Sequence, residues 1–98
     1  MLKAIIEEKK AYRRLMARVA MLPMDYQAIF RKVQGYLRQL AALDSEEMMK
    51  VQREILNEFE DGVIYGKNPI DITGWDLVTF SNAFLRNARV DIDIGKVA

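Results

Sequence analysis

The 98-residue sequence has no cysteine and no histidine, and each absence removes whole classes of chemistry. Without cysteine there is no disulfide, zinc ribbon, thiolate-bound iron–sulfur cluster or thiol nucleophile. Without histidine the commonest metal ligand and the commonest general base are both missing. Ser45 and Ser81 therefore have no imidazole with which to form a hydrolase triad. The few glycines are scattered, so no phosphate-cradling loop is present, and Gly74 alone at a helix start does not make an anion site. Long apolar runs are lacking too, since the uncharged stretches fall far short of the roughly 20 residues that a spanning helix requires. Met1 to Met21 carries charges throughout, where a secretory signal needs an unbroken apolar stretch. Together these absences predict a cytoplasmic protein without membrane contact, catalytic residues, cofactor or metal, and so not an enzyme.

What is present is ordinary globular material, 51% hydrophobic and 30% charged. Its length suits one domain over residues 1–98. A chain of this size buries roughly 60–65% of the surface its unfolded form exposes, enough for one core with little surplus. The net charge of +1 conceals a division. Residues 1–42 hold nine Lys or Arg against three acids, and residues 43–98 hold six against eleven. Such a split serves either attraction between the two halves of the fold or a partner of opposite charge.

Apolar periodicity predicts an all-α array of four helices over about 2–22, 24–42, 45–65 and 74–89. In the first, Leu2, Ile5, Ile6, Tyr12, Leu15, Met16 and Val19 form the inward stripe, interrupted by Lys9, and Pro23 ends it. In the second, Tyr26, Ile29, Phe30, Val33, Leu37 and Leu40 make the clearest stripe, and Gly35 suggests a close helix crossing. The third starts at an Asp44 cap with Glu47 placed to reach back. It carries Met48, Val51, Ile55, Phe59, Gly62 and Val63 inward and stops at Gly66, before an Asn68–Pro69 turn. The fourth follows a Thr73 cap and carries Leu77, Phe80, Ala83, Phe84 and Ala88. The irregular C-terminal tail, 90–98, alternates Val90, Ile92 and Ile94 with Asp91 and Asp93, a pattern open to a short strand, an extended arm or a frayed end. Short connections favour antiparallel neighbours.

Few side chains suggest chemistry. Glu54, Glu58 and Asp61 share one side of the third helix and could face a hard cation, but a solvated acidic face is the expected role, and no Glu-x-x-His pair exists. The basic side of the first helix, with Lys3, Lys9, Lys10, Arg13, Arg14 and Arg18, meets the phosphate requirement of nucleic-acid binding without supplying base-reading groups. Six methionines and nine aromatics offer more. Adjacent Met48 and Met49 cannot both face inward from one helix, which makes Met49 an interface candidate. Trp75, in the first turn of the last helix, is expected to pack on a neighbouring helix, with an exposed anchor for a partner as the alternative.

Several segments resemble a small bacterial family catalogued as domain of unknown function 1048. They are Ala20-Met21-Leu22-Pro23-Met24-Asp25-Tyr26-Gln27, Val33-Gln34-Gly35-Tyr36-Leu37, Phe59-Glu60-Asp61-Gly62, Gly66-Lys67, and Ile72-Thr73-Gly74-Trp75-Asp76 leading to Phe80 and Leu85-Arg86. They fall in order over most of residues 10–89. The resemblance implies a superhelically wound helical fold. It also implies a gene neighbourhood shared with PadR-like winged-helix repressors, hence an accessory or regulatory role. Members of that family commonly continue their last helix with charged and aromatic residues, where this chain has its acidic, glycine-containing tail.

The expected function is therefore a non-catalytic protein-interaction or accessory regulatory module, acting with a transcriptional repressor or with a second copy as a homodimer. Arg13, Arg14, Met49 and Trp75 are its candidate partner contacts. The alternatives are nucleic-acid binding through the basic face of the first helix and, less favoured, a carboxylate metal-dependent enzyme.

Overall fold

A computed structural model describes the backbone of residues 2–39 and 44–97 and the side chains of residues 2–39 and 44–87. The chain is all-α: α1 (Leu2–Ala20), α2 (Met24–Gln39), α3 (Ser45–Ile64), α4 (Pro69–Thr73) and α5 (Leu77–Val97). The expected end of the second helix, 40–42, lies outside the described residues.

The helix ends follow from local chemistry. α1 closes in a tight turn, with Met21 N–H donating to the Arg18 carbonyl and Leu22 N–H to that of Val19. Leu22 thus belongs to the turn rather than to the helix. Asp44 caps α3 by accepting from the Glu47 N–H at 2.8 Å. α3 ends at Ile64 with Tyr65 as its cap, and the chain turns away at Gly66, whose φ of 71° suits a residue without a Cβ.

The expected four-helix pattern omits α4. Pro69 occupies its first turn, where a missing N–H costs nothing, and the Asp71 carboxylate accepts from the Asn68 N–H at 3.0 Å. One helical turn is too short for periodicity to reveal. Consequently α5 begins at Leu77 instead of residue 74, and its cap is Asp76, not Thr73. The Thr73 hydroxyl is buried and donates to the Gly74 carbonyl.

The backbone of 90–97 continues α5 rather than forming the irregular tail. Val90 and Ile94 are four apart as well as alternating with acids, so the apolar pattern fits a helix equally. Extending a formed helix adds a hydrogen bond per residue with no new nucleation cost.

α1 and α3 run parallel, with α2 antiparallel to both. Arg18 near the end of α1 bonds Asn57 and Glu60 near the end of α3, and Tyr26 at the start of α2 donates its hydroxyl proton to the Lys67 carbonyl at 2.5 Å. α3 is central, packing against α1, α2, α4 and α5. Its Phe59 ring meets Tyr26 and Phe30 edge-on, with centroids at 5.7 and 5.8 Å, and stacks on Phe80 at 6.1 Å. Leu15, Val19, Leu22, Val33, Leu37, Val51, Ile55, Leu56 and Leu85 complete the buried core among the described residues. Within it the Gln34 amide donates to Gln52 Oε1 at 2.8 Å and the Gln52 amide to the Met48 carbonyl, so α2 and α3 share a hydrogen-bonded polar link.

Two expectations about packing fail. Gly35 marks no crossing, because a Cβ there would meet nothing within 4 Å. The close approach is at Gly62, where a Cβ would run into the Ile72 side chain and lie 2.9 Å from Tyr26 Oη. The first half of the α1 stripe is also not core: Leu2, Ile5, Ile6 and Tyr12 are exposed, and only Leu15 and Val19 are buried. α1 packs on α2 and α3, and α5 packs on the same two helices, so the first turns of α1 are flanked without being covered.

The two glycines should respond oppositely to alanine. Gly35→Ala should stabilise by about 0.5–1 kcal/mol, the helix-propensity gain with no steric cost. Gly62→Ala should lose about 1–3 kcal/mol to overpacking despite the same gain. Urea denaturation of both variants measures this directly.

Candidate functional site

The four candidate contacts do not form one site. Arg14 and Met49 lie along the groove between α1 and α3. Its first part, about 310 Å³, is lined by Ala4, Glu7, Glu8, Ala11, Met49 and Arg53, among others. Its continuation, about 250 Å³, is lined by Ala11, Arg14, Leu15, Arg18 and Arg53. The floor is apolar, the first part carries acids and the second carries guanidinium groups. Met48 and Met49 both pack against the core, contrary to the expectation that one must face away. α3 is covered on more than one flank, so its buried arc admits adjacent positions. Met49 keeps an edge on the groove.

Arg13 lies on a different side of α1, on a shallow surface with Ile5, Glu8, Lys9 and Tyr12. Neither Lys9 nor Arg13 has an ion-pair partner among the described residues. The Tyr12 hydroxyl accepts from Arg38 of α2 at 3.0 Å. Arg18 is committed elsewhere: it pairs with Glu60, and that hydrogen bond holds the guanidinium above its ordinary pKa. Both partners remain more than a third exposed, so the pair contributes at most about 1 kcal/mol.

Trp75 is at the other end of the molecule. It does not pack on a neighbouring helix, for it is 87% exposed in the loop between α4 and α5. The backbone on each side is fixed. Before it, Gly74 has φ 70° and ψ −173°, a conformation open essentially only to glycine, and its N–H closes α4 on the Ile70 carbonyl. After it, the Asp76 carboxylate accepts from the Thr79 hydroxyl at 2.7 Å and from the Val78 and Thr79 N–H groups. These bonds, the Thr79 hydroxyl first, hold the Asp76 carboxyl below its usual pKa.

Other exposed apolar side chains share this end. Met21 and Met24 flank the α1–α2 turn, Ile64 and Tyr65 close α3, and Met21 (86%) and Tyr65 (76%) are nearly as exposed as Trp75. The Tyr26–Lys67 hydrogen bond and the Gly62–Ile72 contact join these segments. Spacing arguments did not single out Ile64 and Tyr65, because Gly66 marks the end of α3 without saying which last-turn residues the fold covers. No group of three or more carboxylates that could hold a metal occurs among the described residues, so Glu54, Glu58 and Asp61 are not gathered into a site. No helix among them is long and apolar enough to cross a membrane.

Residues 3–94 match the family model described as protein of unknown function, DUF1048. Among solved structures the chain is similar to a DUF1048 protein from Bacillus cereus ATCC 10987, described as a left-handed superhelix fold. The two are 39% identical, with a TM-score of 0.72, over 78% of this chain and 94% of that one. No curated protein matches the chain.

The geometry at Trp75 predicts two effects. Gly74→Ala should destabilise by about 1–3 kcal/mol from backbone strain alone. Asp76→Ala should lower Tm at neutral pH. Because the folded-state pKa of Asp76 is depressed, its contribution is present above the ordinary carboxylate range and lost as pH falls through the lowered value. The Tm gap between Asp76→Ala and the parent chain should therefore narrow on acidification, as thermal melts across that range would show.

Proposed function

The chain belongs to the DUF1048 family, and from that premise we propose that it is a non-catalytic interaction module, an accessory to a transcriptional regulator of the PadR-like winged-helix type. The observation that carries this reading is Trp75. A large aromatic side chain at 87% exposure is costly to leave in water unless something covers it, and here the backbone on both sides is held to present it. Met21, Met24 and Tyr65 at the same end are the side-chain types enriched at protein interfaces.

The divided charge adds support. Arg18–Glu60 is an ion pair between the basic and acidic halves. The fold leaves Lys9, Arg13 and the carboxylates Asp25, Asp61 and Asp71 on the surface. These charges are available to steer association with a partner.

A second reading, nucleic-acid binding, draws on the convergence of Arg14, Arg18 and Arg53 at one groove. Phosphate-driven binding weakens steeply with salt, so a gel shift at low salt that disappears at moderate salt would favour it. Loss of that shift in Arg14→Ala/Arg53→Ala would place it at the groove.

The primary test is calorimetric titration of the purified chain with a PadR-like repressor from the same genome. Binding is expected, and Trp75→Ala should weaken it by about 30-fold, corresponding to a hot-spot loss of about 2 kcal/mol. Absence of heat with the parent chain, or equal affinity of the variant, would remove this reading.

A further inference from the structure

All twelve large hydrophobic side chains that stand exposed among the described residues fall into two sets. Leu2, Ile5, Ile6 and Tyr12 lie on the first turns of α1; Met21, Met24, Val63, Ile64, Tyr65, Ile70, Trp75 and Val78 lie at the opposite end. Charge also differs between the two apolar surfaces, although the neighbouring start of α3 adds the exposed acids Asp44 and Glu46 beside the first turns of α1. The exposed segment 2–14 carries Lys3, Lys9, Lys10, Arg13 and Arg14 against Glu7 and Glu8. The opposite end exposes Asp25, Glu58, Asp61, Asp71 and Asp76 against Lys67.

The α1 face constrains its own occupant. Leu2, Ile5, Ile6, Lys9 and Arg13 follow one another at helical spacing, so two cations sit within the apolar stripe. Covering that stripe with a purely apolar surface would desolvate Lys9 and Arg13 with only Glu8 of the same surface to offset the two cations, a costly burial. A suitable occupant must present carboxylates among apolar side chains. The opposite end of this same chain does so, with Trp75, Tyr65, Met21 and Met24 set among Asp25, Asp61, Asp71 and Asp76.

We propose that the first turns of α1 dock on the Trp75 end of a second copy, so that copies associate head to tail. The inference rests on the interaction-module reading and names a partner for it. The two surfaces are different patches of one chain, so the contact is heterologous. Such contacts continue into rings or filaments instead of stopping at a symmetric dimer. Paired charges across the contact make it sensitive to salt.

The test uses two full-length variants at exposed positions, with circular dichroism confirming that both remain helical. Ile6→Glu/Lys9→Glu blocks the α1 face, and Tyr65→Glu/Trp75→Glu blocks the opposite end. By sedimentation, the parent chain should grow in mass with concentration and revert as salt rises, and each variant alone should remain a monomer. An equimolar mixture should form one species of twice the chain mass, because one intact surface of each kind survives. A parent chain that stays monomeric at its solubility limit would overturn the proposal, as would a mixture that stays monomeric or a variant that dimerises alone. The repressor titration separates the two readings. Retained repressor binding by a strictly monomeric parent chain removes self-association and leaves the interaction module standing.

Discussion

Phe59 is the side chain on which the rest of this fold depends. From the middle helix it reaches Tyr26 and Phe30 of α2 on its edges and Phe80 of α5 on its face. One ring thereby sets the spacing of three helices. A domain of this size has a stability of only a few to about 15 kcal/mol, and a buried phenylalanine supplies a large part of that. The Tyr26 ring extends the constraint outward. Its hydroxyl bonds the Lys67 carbonyl and lies beside Gly62, so it also positions the turn leading into α4. Burial, reinforced by Asp25 and Asp71, raises the pKa of that phenol and keeps it a proton donor throughout the neutral range. The end bearing Trp75 is thus tied to the core through one aromatic residue.

The elements most readable from sequence are those whose burial is simple. α2 packs on its neighbours along its whole described length, and its apolar stripe identifies Tyr26, Phe30, Val33 and Leu37 correctly. The Asp44 cap and the Gly66 stop are set by neighbouring backbone geometry and were equally readable. α1 is less readable. Its stripe is continuous in sequence, but only its second half meets the core, because the reach of a core is a tertiary quantity that periodicity does not encode. Gly35 and Gly62 make the same point: both lie within helical patterns, and only packing distinguishes an open position from a crossing.

The candidate site divides along similar lines. Trp75 was identifiable by residue type, but its surroundings were not. Placing it in a helix's first turn made packing the natural expectation. The short α4 shifts the start of α5 to Leu77, which leaves Trp75 in a loop between a positive-φ glycine and an aspartate cap. A displacement of three residues in one helix start separates a packed tryptophan from a presented one. Arg13 and Arg14 are adjacent in sequence, and the helix turns them to different sides, one toward the groove with Arg53 and one toward Lys9 and Tyr12.

The separation of exposed apolar residues into two ends follows from the parallel packing of α1 on α3. Arg18 is tethered to Asn57 and Glu60, while Ala4 and Ala11 line the groove with Ser45 and Met49. The pairing thus places the beginnings of α1 and α3 together and their ends together. The aromatic core is concentrated toward the latter half of α3, where Phe59 lies, and α1 is long enough to extend beyond it. Shortening α1 to the covered part would have removed Leu2, Ile5 and Ile6 from solvent without touching Leu15 or Val19. An uncovered amphipathic helix gains nothing from the core it has outrun. Its apolar stripe, with Lys9 and Arg13 inside it, is the part of α1 that the core leaves open to another surface.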